Sequence, residues 1–346
     1  MRKVLLVSVG LAVFALLWSG CGSDSHTTPL VPTETSMFAF IREAPSGSMP
    51  SANAMERHSK MENLRIRQQN HKQLRGAGLR PMAIEIAPGT DSVVLMKNDG
   101  TGELVIANQA GRFYAVQLSY DGKKGVAAAE DLNGWEQIYY VDLSNTSNPV
   151  VTQLTSDPEH HEFPQLSRDG TKVVFVKYVS DVEKGQAVIV STTGGAETVV
   201  PTTFNVNFPS FAPNGKIVFE EEDNDTINIM NADGTGNVAL TNANHQFFDE
   251  FPSVSTDGKT ITFSRYPADE STGENIFTVN IDGTSLKQLT TDGASWDPMF
   301  VNDKIAFCSS RDSATTWIGN EIYAMSTDGT NQKRLTNNTV DEYFLW

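Results

Sequence analysis

An all-β fold assembled from repeated four-stranded units is predicted by three observations. The first is a phrase that recurs along the chain: "FPQLSRDGTKVVFVK" at 163–177, "FPSFAPNGKIVFEEE" at 208–222, "FPSVSTDGKTITFSR" at 251–265 and a divergent "DPMFVNDKIAFCSSR" at 297–311. Its prolines, Pro164, Pro209, Pro252 and Pro298, stand 45, 43 and 46 residues apart. The second is a companion phrase within each interval, "INIMNADGTGNVALT" at 227–241, "IFTVNIDGTSLKQLT" at 276–290 and "IYAMSTDGTNQKRLT" at 322–336. The third is residue type: short runs such as "TITF" and "KIVF" alternate like strands, and Asp-Gly and Asn-Gly pairs between them supply the positive φ of tight hairpins. Helical repeats of similar period would carry a 3.6-residue periodicity, which these lack. Four strands per unit of about 40–45 residues is the signature of a β-propeller blade.

The elements follow in chain order. Residues 1–20 begin with Arg2 and Lys3, continue through an apolar run from Val4 to Trp18 and end in small residues before Cys21. A charged start, a short apolar core and small residues before a cut describe an export signal, and the run is short for a spanning helix. Residues 21–36 include "GSDSHTTPLVPTETS", polar and proline-containing, and read as a flexible tether. A single propeller domain is expected over 37–346. Within it "MFAFIRE" at 37–43 resembles the strand after the Asp-Gly-Lys turn, and "TVDEYFLW" at 339–346 matches the opening of a new unit. The first and last segments should therefore share one blade and close the ring without an open sheet edge. Counting this composite, a poorly matching unit at about 82–112 and five clear units from about 113 to 336 gives seven blades, or six if residues 44–80 lie outside the ring.

Residues 53–80 hold Arg57, Lys60, Arg65, Arg67, Lys72, Arg75 and Arg80, a basic island read as an insertion or a degenerate blade. It could face anionic headgroups or an acidic partner; the simpler reading is a loop balanced by acidic blade surfaces. The whole chain has 42 acidic and 26 basic residues, a net charge of −16. That balance excludes sequence-independent nucleic-acid binding, which needs Lys and Arg to replace counterions. The 39% apolar and 9% aromatic content is ordinary for a chain that buries a core. Cys308, the only cysteine besides Cys21, reads as a small buried strand residue.

Two resemblances extend this reading. Leu16, Leu17, Ser19, Gly20 and Cys21 resemble a bacterial lipobox, with Trp18 a departure. The resemblance implies lipid attachment at Cys21, and Gly22 after it implies sorting to an outer membrane facing the periplasm. The pattern Pro-x-hydrophobic-Ser-x-Asp-Gly-Lys-x-hydrophobic-x-Phe, followed by Ile-Tyr-x-Met-x-x-Asp-Gly and Leu-Thr, resembles the WD-like propeller repeats of the TolB family, clearly over 113–346 and weakly over 37–112. It implies a propeller that binds partner proteins in the cell envelope, here as a lipid-anchored monomer without the α/β domain that precedes the propeller in TolB. Similar propellers precede serine peptidase domains, but the sequence has no Gly-x-Ser-x-Gly elbow.

Chemistry is sought in the loops that enter the innermost strands, "DPEHHEFP" at 157–164, "HQFFDEFP" at 245–252, "GASWDP" at 293–298 and "NTVDEYF" at 338–344. They place His160, His161, Glu162, His245, Asp249, Glu250, Trp296, Asp297, Asp341 and Glu342 at equivalent positions around one face. A ring of acids with aromatics suits a cation or a basic peptide; the competing reading is that such acids bond their own turns. The function expected is a non-catalytic interaction scaffold with no required cofactor and room for a divalent cation. The alternative is a metal-dependent carbohydrate lyase or hydrolase of oligouronate type. Some TolB-like propellers resemble pectin-fragment lyases that hold a metal through His and Gln, which would give His161 and His245 that role.

Overall fold

In the computed structural model the residues described are 37–42, 92–97, 104–108, 113–119, 122–131, 135–145, 150–179, 184–242, 245–269, 271–312, 320–337 and 342–343. The signal and tether segments, the basic segment 53–80 and Asp341 lie outside them. Everything described belongs to one unit, residues 35–346.

Five self-contained blades follow one another. Blade one has β4 (Phe113–Leu118), β5 (Lys124–Glu130), β6 (Glu136–Asp142) and β7 (Val150–Gln153). Blade two has β8 (His160–Leu166), β9 (Lys172–Tyr178), β10 (Gly185–Ser191) and β11 (Thr198–Val199). Blade three has β12 (Val206–Phe211), β13 (Lys216–Glu221), β14 (Thr226–Asn231) and β15 (Val238–Ala239). Blade four has β16 (Phe247–Val254), β17 (Thr260–Pro267), β18 (Asn275–Asn280) and β19 (Lys287–Gln288). Blade five has β20 (Ser295–Val301), β21 (Lys304–Ser309), β22 (Glu321–Ser326) and β23 (Lys333–Arg334). Each is an antiparallel meander in sequence order.

One further four-stranded sheet joins the two ends of the chain. Its order is β24 (Glu342–Tyr343), β1 (Met37–Arg42), β2 (Ser92–Lys97) and β3 (Leu104–Asn108). Ile41 pairs with Tyr343 and Arg42 with Glu342, so the terminal strands share a sheet as the sequence predicts. The predicted count of blades is corrected. Neither seven nor six self-contained blades is present among the described residues; there are five. The unit sought at 82–112 is not a blade of its own, because β2 and β3 complete the terminal sheet.

The recurring phrases have local causes. Phe163, Phe208, Phe251 and Asp297, each just before the repeated proline, have φ of 55°, 47°, 56° and 50°. Each lies where the pairing of the innermost strand with its neighbour slips, between Glu162 and Gln165, Asn207 and Ser210, Glu250 and Ser253, and Trp296 and Met299. Proline cannot donate to a ladder, and a bulge is a place in a sheet that does not ask it to. In the Asp-Gly-Thr turns the Asp233, Asp282 and Asp328 carboxylates accept the Thr235, Thr284 and Thr330 amides at 2.9–3.0 Å. Glycine follows because φ is positive; at Gly234 (φ 82°) a Cβ would also stand 2.2 Å from the Pro201 carbonyl oxygen.

The Leu-Thr ending fastens the outermost strand of four of the five blades, all but blade two. Leu154, Leu240, Leu289 and Leu335 donate their amides to Ile138, Ile227, Ile276 and Ile322. The following hydroxyls of Thr155, Thr241, Thr290 and Thr336 accept the amides of the same isoleucines at 2.9–3.0 Å.

Alternation then packs blade against blade. Val173 and Phe175 of β9 cluster with Val126 and Ile138 of blade one, while Val174 between them joins Ile217 and Phe219 of blade three. Val218 and Ile227 meet Ile261 and Phe263, and Ile276 meets Ile305 and Phe307. Phe175, Phe219, Phe263 and Phe307 occupy corresponding places on the second strands and are fully buried. Each such ring stabilises the fold by about 1.5–3 kcal/mol through burial. Cys308, beside Phe307, is fully buried.

Candidate functional site

The inner strands β8, β12, β16 and β20 begin at one end of the propeller. At the bulge of three of them the pre-proline residue is an aromatic ring. Phe163 packs on Phe208 and Phe208 on Phe251, with centroids 4.3 Å apart in both pairs. In the fourth the corresponding residue is Asp297, nearly buried. Its amide donates to Ser264 Oγ at 3.1 Å, and its Oδ1 has no hydrogen-bond partner.

Two more carboxylates share this region. Glu250 is largely buried and accepts the Tyr266 hydroxyl at 3.0 Å. Glu274, half-buried as a residue, has an enclosed Oε1 without a hydrogen-bond partner. Burial, together with the charge of Glu250, pushes Asp297 well above the usual carboxylate range. Burial and then Glu250 and Asp297 push Glu274 the same way, against a hydrogen bond from Ser264. Asp297 and Glu274 are thus buried acids, each with one oxygen left without a hydrogen bond.

The burial of Asp297 and Glu274 has a pH consequence. Below about pH 3 both carboxyls are protonated in folded and unfolded chains alike and burial carries no ionic penalty. As pH rises towards the raised folded-state values, the unfolded chain ionises while the folded group resists, and stability falls. Asp297→Asn is expected to match wild type at about pH 3 and to exceed it at pH 7, with a higher Tm at that pH. Asparagine tolerates the left-handed backbone there, and thermal melts across that range check the sign.

Asp249 lies on the opposite face of β16 from Glu250 and serves the blade. Its Oδ1 and Oδ2 accept Arg265 Nε at 2.5 Å and Nη2 at 2.7 Å, and it is fully buried. The guanidinium carbon lies 5.0 Å from the Phe247 ring centroid and 5.2 Å from that of Phe277. Asp249 is therefore committed to an internal ion pair.

The two adjacent histidines of β8 also diverge. His160 is partly exposed, with Nδ1 2.8 Å from Glu136 Oε2 and its ring edge on Trp135. His161 is fully buried, with Nδ1 3.1 Å from the Glu136 carbonyl oxygen and Nε2 beside Asp157 and Glu197. Among the described residues two groups have metal-ligand geometry, Glu136–His160–Glu162 and Asp157–His161–Glu197. His245 belongs to neither. It is exposed, with Nδ1 3.6 Å from Asp225 Oδ2, and lines a cleft of about 670 Å³ with Glu221, Asn228 and Leu286. Trp296 is half-buried on β20, and Glu342 is on β24. The predicted ring thus resolves into an acid group around Glu250 and Asp297, the histidine groups of β8, and a separate His245. Glu136, Asp157, Lys177, Glu197 and Glu274 were not among the sequence candidates; no repeat motif marks them.

Radially packed four-stranded meanders, with their inner strands opening at one end, define a β-propeller protein. A family model of the TolB beta propeller domain matches residues 86–298, and the chain belongs to that family. The structure is similar to TolB from Acinetobacter baumannii, with a TM-score of 0.60 at 16% identity, covering 73% of this chain and 61% of that one. This chain therefore spans less than two thirds of that protein's length. It is also similar to a putative TolB from Agrobacterium tumefaciens (TM-score 0.56, 19% identity, 70% of this chain and 92% of that one). A third similar structure is an oligogalacturonate lyase from Vibrio parahaemolyticus (TM-score 0.50, 13% identity, 71% and 73%). At these identities the likeness concerns the fold. A sequence search of curated proteins returns no match.

Proposed function

We propose that this protein is a non-catalytic interaction module of the bacterial cell envelope. It is exported, anchored by lipid on Cys21 in the outer membrane facing the periplasm, and tethered through residues 22–36 to a monomeric propeller. The observation that carries the reading is the acid-rich end of the inner strands. Asp297 and Glu274 each keep a buried carboxylate oxygen without a hydrogen-bond partner close to Glu250, and the aromatic row Phe163–Phe208–Phe251 extends across the neighbouring blades. Such a field attracts a basic segment of an envelope protein and hastens its docking more than it tightens the final complex. A small cation reaching the orphan oxygens of Asp297 and Glu274 is compatible with this role.

The test is a photo-crosslinking residue placed at Trp296, beside the acids, in intact cells. A second position, Val238 on the exposed outer strand β15, serves as control. One discrete partner captured from position 296 and not from 238 is expected. Identical products from both, or none from either, would count against an interacting end.

The second reading, a metal-dependent carbohydrate lyase or hydrolase, draws on the similarity to an oligogalacturonate lyase and on the metal-type geometry near β8. Uronate carboxylates need a free basic group. Lys177 and Arg265, the bases beside the histidine and acid groups, are bonded to Asp157, Glu197 and Asp249. The reading predicts unsaturated product from oligogalacturonate in the presence of Mn2+, detected by ultraviolet absorbance; the scaffold reading predicts none.

A further inference from the structure

We infer that Asp157, His161 and Glu197 form a binding site for one divalent cation of the Zn2+ class, at the junction of blades one and two. The donor atoms are His161 Nε2, Asp157 Oδ1 and Glu197 Oε1, all within 4.8 Å of one another. Nε2 is 3.2 Å from the first oxygen and 3.8 Å from the second. The edge of a tetrahedron with bonds of about 2.0–2.1 Å is about 3.3–3.4 Å. Both distances from Nε2 therefore lie within about half an ångström of the edge that sharing one ion requires.

The surroundings prepare His161 as a ligand. Its Nδ1 faces the backbone carbonyl oxygen of Glu136 at 3.1 Å, and since a carbonyl only accepts, Nδ1 carries the proton. That leaves the Nε2 lone pair directed away, the arrangement metal-bound histidines adopt when their second nitrogen is held by a carbonyl. The His161 side chain is 0% exposed, and neither Nε2 nor Asp157 Oδ1 has a hydrogen-bond partner. A lone pair held against two carboxylate oxygens is repulsive until something positive lies between them.

Both carboxylates are oriented from behind. Lys177 Nζ bonds Asp157 through Oδ2 and Glu197 through Oε2, so Oδ1 and Oε1 are the oxygens turned to the imidazole. Gln137 of β6 donates to the Asp157 backbone oxygen at 2.8 Å, which fixes the loop ahead of β8. The Asp157 side chain is 38% exposed and that of Glu197 21%, leaving a path for an ion and a place for water as a further ligand. One imidazole nitrogen with two carboxylate oxygens suits Zn2+ better than Ca2+ or Mg2+, which favour all-oxygen sets. Lys177 competes for the same charge, so affinity should be moderate, and binding would brace the loop before β8 against the segment leading into β11.

The site is tested on the purified full chain after treatment with a chelator, by calorimetric titration with Zn2+ and by visible absorption with Co2+. One ion per chain, a rise in Tm on saturation and Co2+ bands of a low-coordinate nitrogen–oxygen site are expected. Glu197→Gln, at a partly exposed position that should not perturb folding, is expected to weaken binding at least tenfold. His245→Ala should leave it unchanged. No stoichiometric binding, or equal binding by Glu197→Gln and Asp157→Asn, would overturn the assignment. Loss of binding with Glu162→Gln instead would also overturn it, placing the ion at the neighbouring Glu136–His160–Glu162 group. So would nitrogen NMR that finds His161 protonated on both nitrogens with Zn2+ present, because a proton would then occupy the gap.

Discussion

An Arg265→Met variant is expected to lose about 3–5 kcal/mol of stability, the cost of leaving one member of a buried ion pair without the other. Asp249 is fully enclosed and both its oxygens bond this one guanidinium. Among the described residues Arg265 is the one basic side chain paired with it. Arg265 also lies over the Phe247, Phe263 and Phe277 rings, and methionine keeps much of that apolar contact, so the loss would report the stranded carboxylate. The double variant Asp249→Leu, Arg265→Met should recover most of the stability, because a packed apolar pair avoids desolvation of both ions. Urea unfolding of wild type and the two variants checks both statements, with a changed midpoint and an unchanged slope. Equal losses in the single and double variants would mean that shape, not charge, holds blade four at this point.

Phe208→Ala should be nearly as damaging, costing about 3–5 kcal/mol as expected for truncating a buried phenylalanine. Its ring is the middle member of the aromatic row, touching Phe163 on one side and Phe251 on the other. Truncation removes two ring contacts and leaves a cavity where inner strands from blades two, three and four approach one another. Phe163→Ala breaks only one of the two contacts and should cost less by about 0.5–1.5 kcal/mol, the value of one aromatic pair. Thermal and urea unfolding of the two variants compares them. A Phe163 variant as damaged as the Phe208 variant would show that the rings act separately in their own blades.

The repeat architecture was legible because each signal has one local cause. The Asp-Gly-Thr turn requires positive φ and an acceptor for the threonine amide, and the Leu-Thr ending requires a hydroxyl for the isoleucine amide. Pairing of the terminal strands was legible for the same reason, since both ends carry fragments of one motif. The number of blades was not, because residues 82–112 keep an Asp99-Gly100-Thr101 turn but lack the Leu-Thr ending, and only sheet pairing shows where β2 and β3 go.

The site was partly legible. Glu250 and Asp297 were found from their position before the proline, whereas Asp249, adjacent in sequence, points into the blade. The bulge makes the phase of the strand unreadable: an extra residue exchanges inward and outward faces, and sequence alone does not say on which side of it alternation restarts. Glu274 and Glu197 went unseen because each stands in a connection just ahead of a strand, reaching its partners only through the meander. His161 was singled out in sequence, but its burial and its contact with the Glu136 carbonyl of a different blade were not readable there.

The claim that the acid-rich end of the propeller is its working surface is tested most directly by the affinity of the crosslinked envelope partner for the purified protein and for a Glu250→Gln, Asp297→Asn variant, at low and high salt. The interaction reading predicts binding at least tenfold weaker in the variant, less sensitive to salt, and accompanied by a Tm no lower than that of wild type. Equal affinity and equal salt dependence in the two proteins would contradict it and would make these carboxylates part of the blades alone.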